Sequence, residues 1–312
     1  MAGAHPGAGP VPGIVLLGNL LVDDLVFPDG RMRMAQAGGA ILYGSLACAL
    51  WGARPGCVSV RGDDYPAATL AALRARGVAL DGVADLGRPG VRTWLLYEGR
   101  VRRVVHRLDC PSHEEVSPEP AQVPAAWRAA PAFHLAPMPL AVQARLATAL
   151  GAGGAFVSID PHEIVTEASL ARWRGVLAHA DAFFPSEDEL RLDGADADPH
   201  AALRRLAGGR LRLVAWKRGL KGGILYDVRA DRCREWTART QDIVDPTGAG
   251  DAFAAGFVTA HLAGCAPAEC LRRGVVTASF AIEAWGPGAL LAASRADLEA
   301  RQRAWYGGEA TA

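Results

Sequence analysis

Short apolar runs alternate along the chain with longer stretches in which apolar and small residues recur at helical spacing. The first run, residues 13–18 (Gly-Ile-Val-Leu-Leu-Gly), is continuously apolar, which is typical of a parallel strand buried on both faces. Similar runs predict strands at 57–60, 133–135, 156–159, 182–184 and 211–215, with helices at 39–51, 67–76, 140–150 and 201–206. The alternation predicts an α/β fold in which helices cover both faces of a mostly parallel central sheet.

Two segments interrupt this alternation and predict a second, smaller sheet. Residues 91–106 have a β-pattern on either side of Glu98-Gly99-Arg100, and residues 25–34 surround Pro28-Asp29-Gly30. Both patterns are typical of hairpins, so lid segments are expected at about 25–35 and 91–107. The second segment carries Arg92, Arg100, Arg102, Arg103 and Arg107. These arginines either keep an edge strand from aggregating or form a basic surface for an acidic or phosphorylated substrate.

Composition limits the architecture and the partners. The chain has 312 residues, 50% of them hydrophobic, which is enough for one large domain, expected at 13–305. Residues 1–12 are rich in Gly, Ala and Pro and lack the features of a signal peptide, so flexible tails are expected there and at 306–312. A formal net charge of zero and the lack of a long apolar stretch argue against nucleic-acid and membrane partners. The six cysteines form no C-x-x-C pair, which favours a reducing compartment such as the cytoplasm.

A seven-residue string near the C-terminal end carries the chemistry. Residues 245–251 read Asp-Pro-Thr-Gly-Ala-Gly-Asp and are followed by an apolar run, a pattern that predicts a tight loop opening into a buried helix. Backbone N–H groups at such a helix start bind anions, phosphate in particular. A carboxylate beside an anion site repels phosphate unless it has a task, and Asp251 can accept the proton of an attacking hydroxyl. The alternative is an ordinary helix start at which Asp251 satisfies backbone donors.

This string resembles the signature of the ribokinase-like (PfkB) carbohydrate kinases, which ends in Gly-Ala-Gly-Asp. The resemblance extends from Val15 to about Leu290. It implies the ribokinase-like three-layer fold with a β-lid that often mediates homodimers. It also implies transfer of the γ-phosphoryl group of ATP, with Mg²⁺, to a hydroxyl of a small molecule. Asp251 is then the base, and Gly248, Ala249 and Gly250 donate N–H groups to the transferred phosphoryl group.

The resemblance implies that the acceptor is bound by Asp23, Gly38, Gly39 and Tyr43. Asp160 is expected to face the same cleft because Asp160-Pro161-His162 ends another predicted strand. Asp23 lies five residues after Gly18, as the family's hydroxyl-binding aspartate does, although the adjacent Asp24 leaves the register open. Tyr43 stands where many sugar kinases of the family have Asn, which favours a different ring or a bulkier substrate.

A second group of residues is implied for the nucleotide and the metal ions. Residues 217–223 (Lys-Arg-Gly-Leu-Lys-Gly-Gly) resemble the family's Thr-x-Gly-x-x-Gly turn, with Lys217 in place of Thr. The ATP residues are then Lys217, Gly219, Gly222, Thr247, Gly248 and Gly250. Ser186-Glu187-Asp188-Glu189 resembles the family's Asn-x-x-Glu, whose Glu organises Mg²⁺ through water, but it also fits a capping box. Asp245 and Thr247 match family residues beside a K⁺ ion, and residues 268–283 and 285–288 are expected at the adenine.

The expected acceptor is a neutral sugar or polyol, because Asp23 and Asp160 would place negative charge in the cleft. Two alternatives inside the family stay open. A nucleoside is one, since Tyr43 could pack on a base, and a sugar phosphate is the other, since the lid is rich in arginine. A non-catalytic binding protein on this fold is a third alternative, which the intact Gly-Ala-Gly-Asp disfavours.

Overall fold

The computed structural model describes residues 10–98 and 101–308. In these residues the strands are β1 (Ile14–Leu17), β2 (Leu21–Val26), β3 (Met32–Gly38), β4 (Pro55–Arg61), β5 (Ala79–Asp85), β6 (Arg92–Glu98), β7 (Val101–His106), β8 (Ala132–Leu135), β9 (Phe156–Ile159), β10 (Val165–Thr166), β11 (Ala182–Phe183), β12 (Leu190–Arg191), β13 (Leu213–Lys217), β14 (Gly223–Asp227) and β15 (Arg232–Trp236). The helices are α1 (Ala40–Leu50), α2 (Ala67–Ala75), α3 (Leu140–Gly151), α4 (Leu170–Leu177), α5 (Pro199–Arg204), α6 (Ala249–Leu262), α7 (Pro267–Ala281), α8 (Gly288–Ala292) and α9 (Arg295–Tyr306).

The main sheet has the order β15-β14-β13-β11-β9-β8-β1-β4-β5. Neighbours from β13 to β5 are parallel, and β14 and β15 extend the sheet with antiparallel pairs. This confirms the mostly parallel sheet predicted from the alternation of strands and helices. The chain leaves β1 toward β4 on one side and later returns to β8 on the other. In open α/β sheets such a switch point creates a crevice at the carboxyl ends of the strands, where ligands bind.

Two hydrophobic cores lie on opposite faces of this sheet, as β1 illustrates. Ile14 and Leu16 belong to the core beneath α1, α6 and α7, whereas Val15 and Leu17 belong to the core beneath α3 and α4. The continuous apolar run of β1 is therefore explained by burial on both faces. Helix α6 is buried from Ala252 to Ala260 and so fixes its own first turn against the sheet.

The lid is a four-stranded sheet of order β3-β2-β6-β7. Its first segment spans 21–38, so the expected bounds of 25–35 were too narrow at both ends. The two hairpins are joined by parallel pairing of β2 with β6, and the pairing of β2 with β3 shifts register between Asp23 and Leu25. The start of β2 was not predicted because Asp23 and Asp24 interrupt its apolar pattern. Both side chains are nevertheless buried.

Other elements differ from the sequence predictions in position or were not predicted. Strand β13 lies two residues later than expected, and β5, β14 and β15 were not predicted. Strand β15 is mostly exposed and polar, which hides the alternation that marks a strand. No helix among the described residues has the length and apolar character needed to cross a membrane. The predicted tail at residues 1–12 lies mostly outside the described residues, as do Arg100 and residues 309–312.

Candidate active site

The loop before α6 has the geometry that its sequence predicted. Gly248 is the N-cap of α6 and adopts a left-handed conformation with φ of 79°. A Cβ atom on Gly248 would come within 2.2 Å of Cδ1 of Tyr43, so both the backbone and the neighbouring ring require glycine here. Ala249 and Gly250 open the helix, and Asp251 is the acidic residue of its first turn. The first N–H groups of a helix lack intrahelical partners, so this end favours an anion.

The carboxylate of Asp245 fixes the loop before α6 through three hydrogen bonds. One carboxylate oxygen accepts hydrogen bonds from N–H and Oγ1 of Thr247 at 3.0 and 2.6 Å. The other oxygen accepts the N–H of Gly286 at 3.0 Å, which ties the loop to the segment after α7. Oγ1 of Thr247 also lies 2.6 Å from the hydroxyl of Tyr97 on lid strand β6. The lid and the loop before α6 are therefore in direct contact.

Asp23 lies on lid strand β2 and is largely buried. Its carboxylate accepts a hydrogen bond from the hydroxyl of Thr93 on β6, and the residue is 5% exposed. A Cβ on Gly38 would lie 1.9 Å from Oδ2 of Asp23, so the missing side chain of Gly38 is what makes room for the carboxylate. A Cβ on Gly39, whose φ is 103°, would lie 2.1 Å from the carbonyl oxygen of Asn19. The Gly-Gly pair thus lets the start of α1 approach Asp23 and the end of β1.

Asp24, next to Asp23 in sequence, has different partners. Its carboxylate forms a bidentate ion pair with Arg92 at 2.7 and 2.8 Å and accepts the N–H of Ala35 at 2.7 Å. Burial alone would raise the pKa of Asp24, but the hydrogen bonds from Arg92 and Ala35 outweigh it and the pKa lies below its usual value. Asp24 and Arg92 therefore hold β2 and β6 together, which leaves Asp23 as the candidate for a hydroxyl-binding carboxylate.

Lys217 and Asp160 form a buried ion pair beside the helix start. Nζ of Lys217 lies 2.9 and 2.7 Å from the two carboxylate oxygens of Asp160, which is 2% exposed. A Cβ on Gly250 would lie 3.1 Å from the same Nζ, so the ammonium group borders the anion site. Burial alone would lower the pKa of Lys217, but the charges of Asp160, Glu189 and Asp251 outweigh it. The pKa lies above its usual value, and Lys217 carries a positive charge at the start of α6.

The remaining nucleotide and metal residues lie on the same side of the sheet. Gly219 and Gly222 have φ values of 54° and 86°, and a Cβ on Gly222 would strike the carbonyl oxygen of Trp236 at 1.9 Å. The contact with β15 therefore requires glycine at position 222, independently of any contact with the nucleotide. A carboxylate oxygen of Glu189 accepts the N–H of Ser186 at 2.8 Å, but this bond closes a turn that leads into β12, so the capping box that the sequence allowed is not formed. The charge of Glu189 still acts on Lys217 and Asp160, so it borders the cleft.

Tyr43 and Trp285 stand on the lid side of the cleft. Tyr43 is 2% exposed, and burial, followed by the charges of Asp245, Asp23 and Asp251, raises the pKa of its phenol well above the usual value. Trp285 packs edge-on against Phe27 at 5.1 Å, and Phe27 stacks on Tyr97 at 4.5 Å. Trp285 therefore contacts the lid, and its expected part in an adenine pocket stays a prediction.

The structure brings the expected residues to one edge of the sheet and adds several that sequence reasoning missed. Asp23, Asp160, Lys217 and the loop before α6 meet at the carboxyl ends of the strands. The additions are Asn19, Tyr97, Thr93, His106 and His113. The two histidines form an imidazole cluster with His162, which the sequence had placed at the cleft with Asp160. The position of Asn19 directly after the first strand was the one signal in the sequence that could have indicated it.

Known proteins match most of the chain. The profile of the pfkB family carbohydrate kinases matches residues 34–293. A cytidine kinase of Thermococcus kodakarensis is 32% identical over 281 residues, which cover 88% of this chain and 97% of that protein.

Solved structures share the fold. A ribokinase-II-type protein of E. coli in complex with ATP and Mg²⁺ superimposes with a TM-score of 0.72 at 18% identity, covering 92% of this chain and 97% of that one. A nucleoside kinase of Burkholderia thailandensis in complex with inosine gives 0.74 at 17% identity, covering 94% of this chain and 99% of that one. This chain is a phosphotransferase with a hydroxyl acceptor, and it belongs to the pfkB family of carbohydrate kinases.

Proposed function

We propose that the protein transfers the γ-phosphoryl group of ATP to a ribose hydroxyl of a neutral nucleoside, with Asp251 as the base. The observation that supports this best is the position of Asp251 in the first turn of α6, directly after the anion-binding loop and within electrostatic reach of Lys217. The start of α6, the Lys217 cation and the Asp251 carboxylate lie together, and phosphoryl transfer to an alcohol needs an anion site, a cation and a base in this arrangement.

Each residue of the site has a separate role in this reaction. Asp23 accepts hydrogen bonds from acceptor hydroxyls under the lid. The Asp251 carboxylate takes the proton of the attacking hydroxyl as its oxygen bonds to the γ-phosphorus, and the bond from that phosphorus to the bridging oxygen breaks to release ADP. N–H groups of Gly248, Ala249 and Gly250 stabilise the transferred group.

Lys217 supplies the fixed positive charge for the phosphates, in the position where relatives have a hydroxyl. Its Nζ borders Gly250 and is held there by Asp160, so its place does not depend on ligand binding. Glu189, whose charge acts on both Lys217 and Asp160, would supply the outer-shell carboxylate for a magnesium ion. Mg²⁺ supplied with ATP neutralises charge on the phosphates.

A neutral acceptor is favoured over a sugar phosphate because two arginines of the second lid segment, Arg92 and Arg107, are already paired with carboxylates. Side chains alternate along β6, and Thr93 and Tyr97 face the cleft, so Arg92 faces outward, where it pairs with Asp24. Arg107 pairs with Asp109 at 2.9 and 2.5 Å. A phosphorylated acceptor needs cationic partners, and these two arginines are already paired with carboxylates.

A nucleoside is favoured over the sugar or polyol expected from the sequence because a relative that is 32% identical and covers 88% of the chain is named a cytidine kinase. Tyr43 agrees with this change, since it replaces the Asn of many sugar kinases. A free sugar remains the second candidate, because Asp23 would bind the hydroxyls of either acceptor in the same way.

An acceptor screen tests the proposal. ADP release is measured with cytidine, other nucleosides, D-ribose, D-fructose, polyols and sugar phosphates at equal concentration. We expect the best nucleoside to exceed every sugar in kcat/KM by about tenfold or more, which corresponds to about 1.4 kcal/mol of transition-state binding. A sugar or sugar phosphate that is turned over better than every nucleoside would overturn the proposal.

A monovalent cation is part of the proposal. The carboxylate of Asp245 is fully buried beside the loop, and a K⁺ ion bound there with Thr247 would offset its charge and order the loop. We expect activity to rise when K⁺ replaces Na⁺ at constant ionic strength. Equal rates in the two salts would remove the ion from the mechanism.

The lid also fits a homodimer interface. Met32, Met34, Val104 and Val105 on its two edge strands are 41–55% exposed. Exposed apolar side chains on edge strands favour association with a second copy. Light scattering should report a dimer, and Val105→Glu should shift it toward the monomer. A wild-type protein that is monomeric at micromolar concentration would contradict this interface.

A further inference from the structure

Three histidines from separate segments meet at the lid side of the cleft. The ring of His113 lies 5.2 Å from that of His106 and 4.9 Å from that of His162. His106 ends lid strand β7, His113 lies in the loop after it, and His162 follows β9 two residues after Asp160. In the part of the chain that the structure describes, no group of three or more His, Cys, Asp or Glu side chains is arranged to hold a metal ion. The cluster therefore needs another explanation.

The cluster adjoins the carboxylate proposed to bind the acceptor. His106 is the cross-strand partner of Thr93, and Thr93 donates a hydrogen bond to Asp23. Directly opposed side chains of an antiparallel pair lie on the same face of the sheet. His106 consequently shares the inner face of the lid with Thr93.

A second connection runs through Ser117 to the end of β1. The Ser117 hydroxyl lies 2.7 Å from the carbonyl oxygen of His113 and 3.2 Å from Oδ1 of Asn19. Asn19 in turn contacts the start of α1 at Gly39. The loop that carries His113 is thus tied through Ser117 to Asn19, and His106 and Asn19 connect the two ends of this candidate lining to the surroundings of Asp23.

This lining contains polar atoms that the protein itself does not satisfy. Nδ1 and Nε2 of His113 and Nδ2 of Asn19 are shielded from solvent and have no hydrogen-bond partner among the described residues. Asn19 is 3% exposed. Leaving a buried polar atom unpaired costs about 1–3 kcal/mol, so three such atoms in one lining favour a ligand that pairs with them.

The chemistry of these atoms defines the ligand. Burial, together with the neighbouring charges of His162 and His106, lowers the pKa of His113 to about 4. A neutral imidazole offers one donor and one acceptor, and the Asn19 amide adds a donor. A flat heteroaromatic ring with carbonyl and amino groups on its edge complements this set, and it can also pack against imidazole faces.

We propose that the imidazole cluster of His106, His113 and His162, with the amide of Asn19, binds the base of the nucleoside acceptor and determines which base is preferred. This inference rests on the proposed function, because it assigns the part of the nucleoside that Asp23 does not bind. The imidazole cluster would then select among nucleosides by their base, whereas the start of α6 and Lys217 bind phosphate.

His113→Phe tests the inference, because phenylalanine keeps a ring in place and removes both nitrogens. We expect KM for the best nucleoside to rise about tenfold or more with kcat within threefold, and KM for ATP and for D-ribose to stay unchanged. Calorimetry should show the same loss of nucleoside affinity.

His106→Phe, at an exposed position that cannot disturb the core, should weaken nucleoside binding about threefold or more. His179→Phe, an exposed histidine outside the cluster, is the matched control and should change neither constant.

The outcomes separate the two proposals. If wild-type protein phosphorylates nucleosides and His113→Phe and His106→Phe both leave their KM and Kd within twofold, the cluster does not bind the base and the proposed function stands. If wild-type protein neither binds nor phosphorylates any nucleoside but turns over a free sugar, the proposed function and this inference both fail. A structural role alone would lower the thermal stability of His113→Phe without changing the ratio of nucleoside KM to ribose KM.

Discussion

The hydroxyl of Tyr97 donates a hydrogen bond to Oγ1 of Thr247 across 2.6 Å. The direction follows from the neighbouring bond, because Oγ1 of Thr247 lies 2.6 Å from the Asp245 carboxylate, which can only accept. Thr247 therefore donates its single hydroxyl proton to Asp245, and the hydroxyl of Tyr97 must donate the proton of the second hydrogen bond. A chain of hydrogen bonds thus runs from the lid through Thr247 to Asp245.

Tyr97→Phe should break this chain while keeping the stacking on Phe27. One neutral hydrogen bond contributes about 0.5–1.5 kcal/mol, so we expect kcat/KM to fall about two- to tenfold with little change in melting temperature. Tyr226→Phe is the matched control, since its hydroxyl bonds Asp231 away from the cleft. Equal activity of Tyr97→Phe and wild type would show that the contact does not help to position the loop.

Asp251→Asn should remove the base and retain the shape of the site. Loss of a general base lowers kcat by about 10²–10⁴-fold. ATP affinity and the unfolding transition should be unchanged, because Asp251 is not proposed to bind the nucleotide. Asp188→Asn is the control, at a carboxylate that is 90% exposed. Near-normal turnover of purified Asp251→Asn would show that another group takes the proton.

Lys217→Met should affect both stability and activity, because it leaves the buried carboxylate of Asp160 unpaired. Breaking such a pair from one side costs about 3–5 kcal/mol in the free energy of unfolding, measured by urea denaturation. The double variant with Asp160→Asn should recover most of that stability. Its kcat should remain about 10²–10³-fold low, since the cation beside the helix start is still missing.

The chain's other lysine provides the comparison. Lys221 is 60% exposed and pairs with Glu187 at 2.6 Å, so Lys221→Met should change stability by less than about 1 kcal/mol. If the double variant regained wild-type turnover, Lys217 would have a structural task only.

The signature loop and most strands of the main sheet followed from the sequence because their signals are local. Gly248 and the apolar run of α6 lie within a few residues of each other, and β1 is apolar throughout. The pairing of Lys217 with Asp160 was not predicted. It depends on β9 and β13 lying on either side of β11, which is a property of the sheet order.

The lid contacts were hidden for the same reason. Tyr97 reaches Thr247 across 150 positions of sequence, and His113 meets His162 only when the loop after β7 packs against the end of β9. No periodicity within a single segment indicates such contacts. Only the register of β2 against β6 places Thr93 beside Asp23.

His134 makes stability depend on pH in a definite direction. Burial, with a smaller contribution from the charge of Lys217, lowers the pKa of His134 from 6.5 to about 3. Between these values the unfolded chain binds a proton that the folded protein does not, so the free energy of unfolding falls as pH drops from 7 toward 4. One such group contributes up to about 1.4 kcal/mol per pH unit.

Replacing His134 should therefore flatten the dependence. Urea denaturation of His134→Asn between pH 7 and pH 4 should show a smaller loss of stability than wild type, whatever its stability at pH 7. His179→Asn, at an exposed position, should keep the wild-type slope. An unchanged slope in His134→Asn would assign the acid sensitivity to other groups.

The lid is made from two stretches of chain, and what joins them is the parallel pairing of β2 with β6. Parallel neighbours need a long crossover, which here consists of β3 of the lid and α1, β4, α2 and β5 of the main domain. The last lid strand ends at His106, long before α6 begins at Ala249. During synthesis the four strands of the lid can therefore pair before the loop at the start of α6 has been made. For the same reason, exchanging lids between relatives means transplanting two segments together with their mutual register, because neither one is a module by itself.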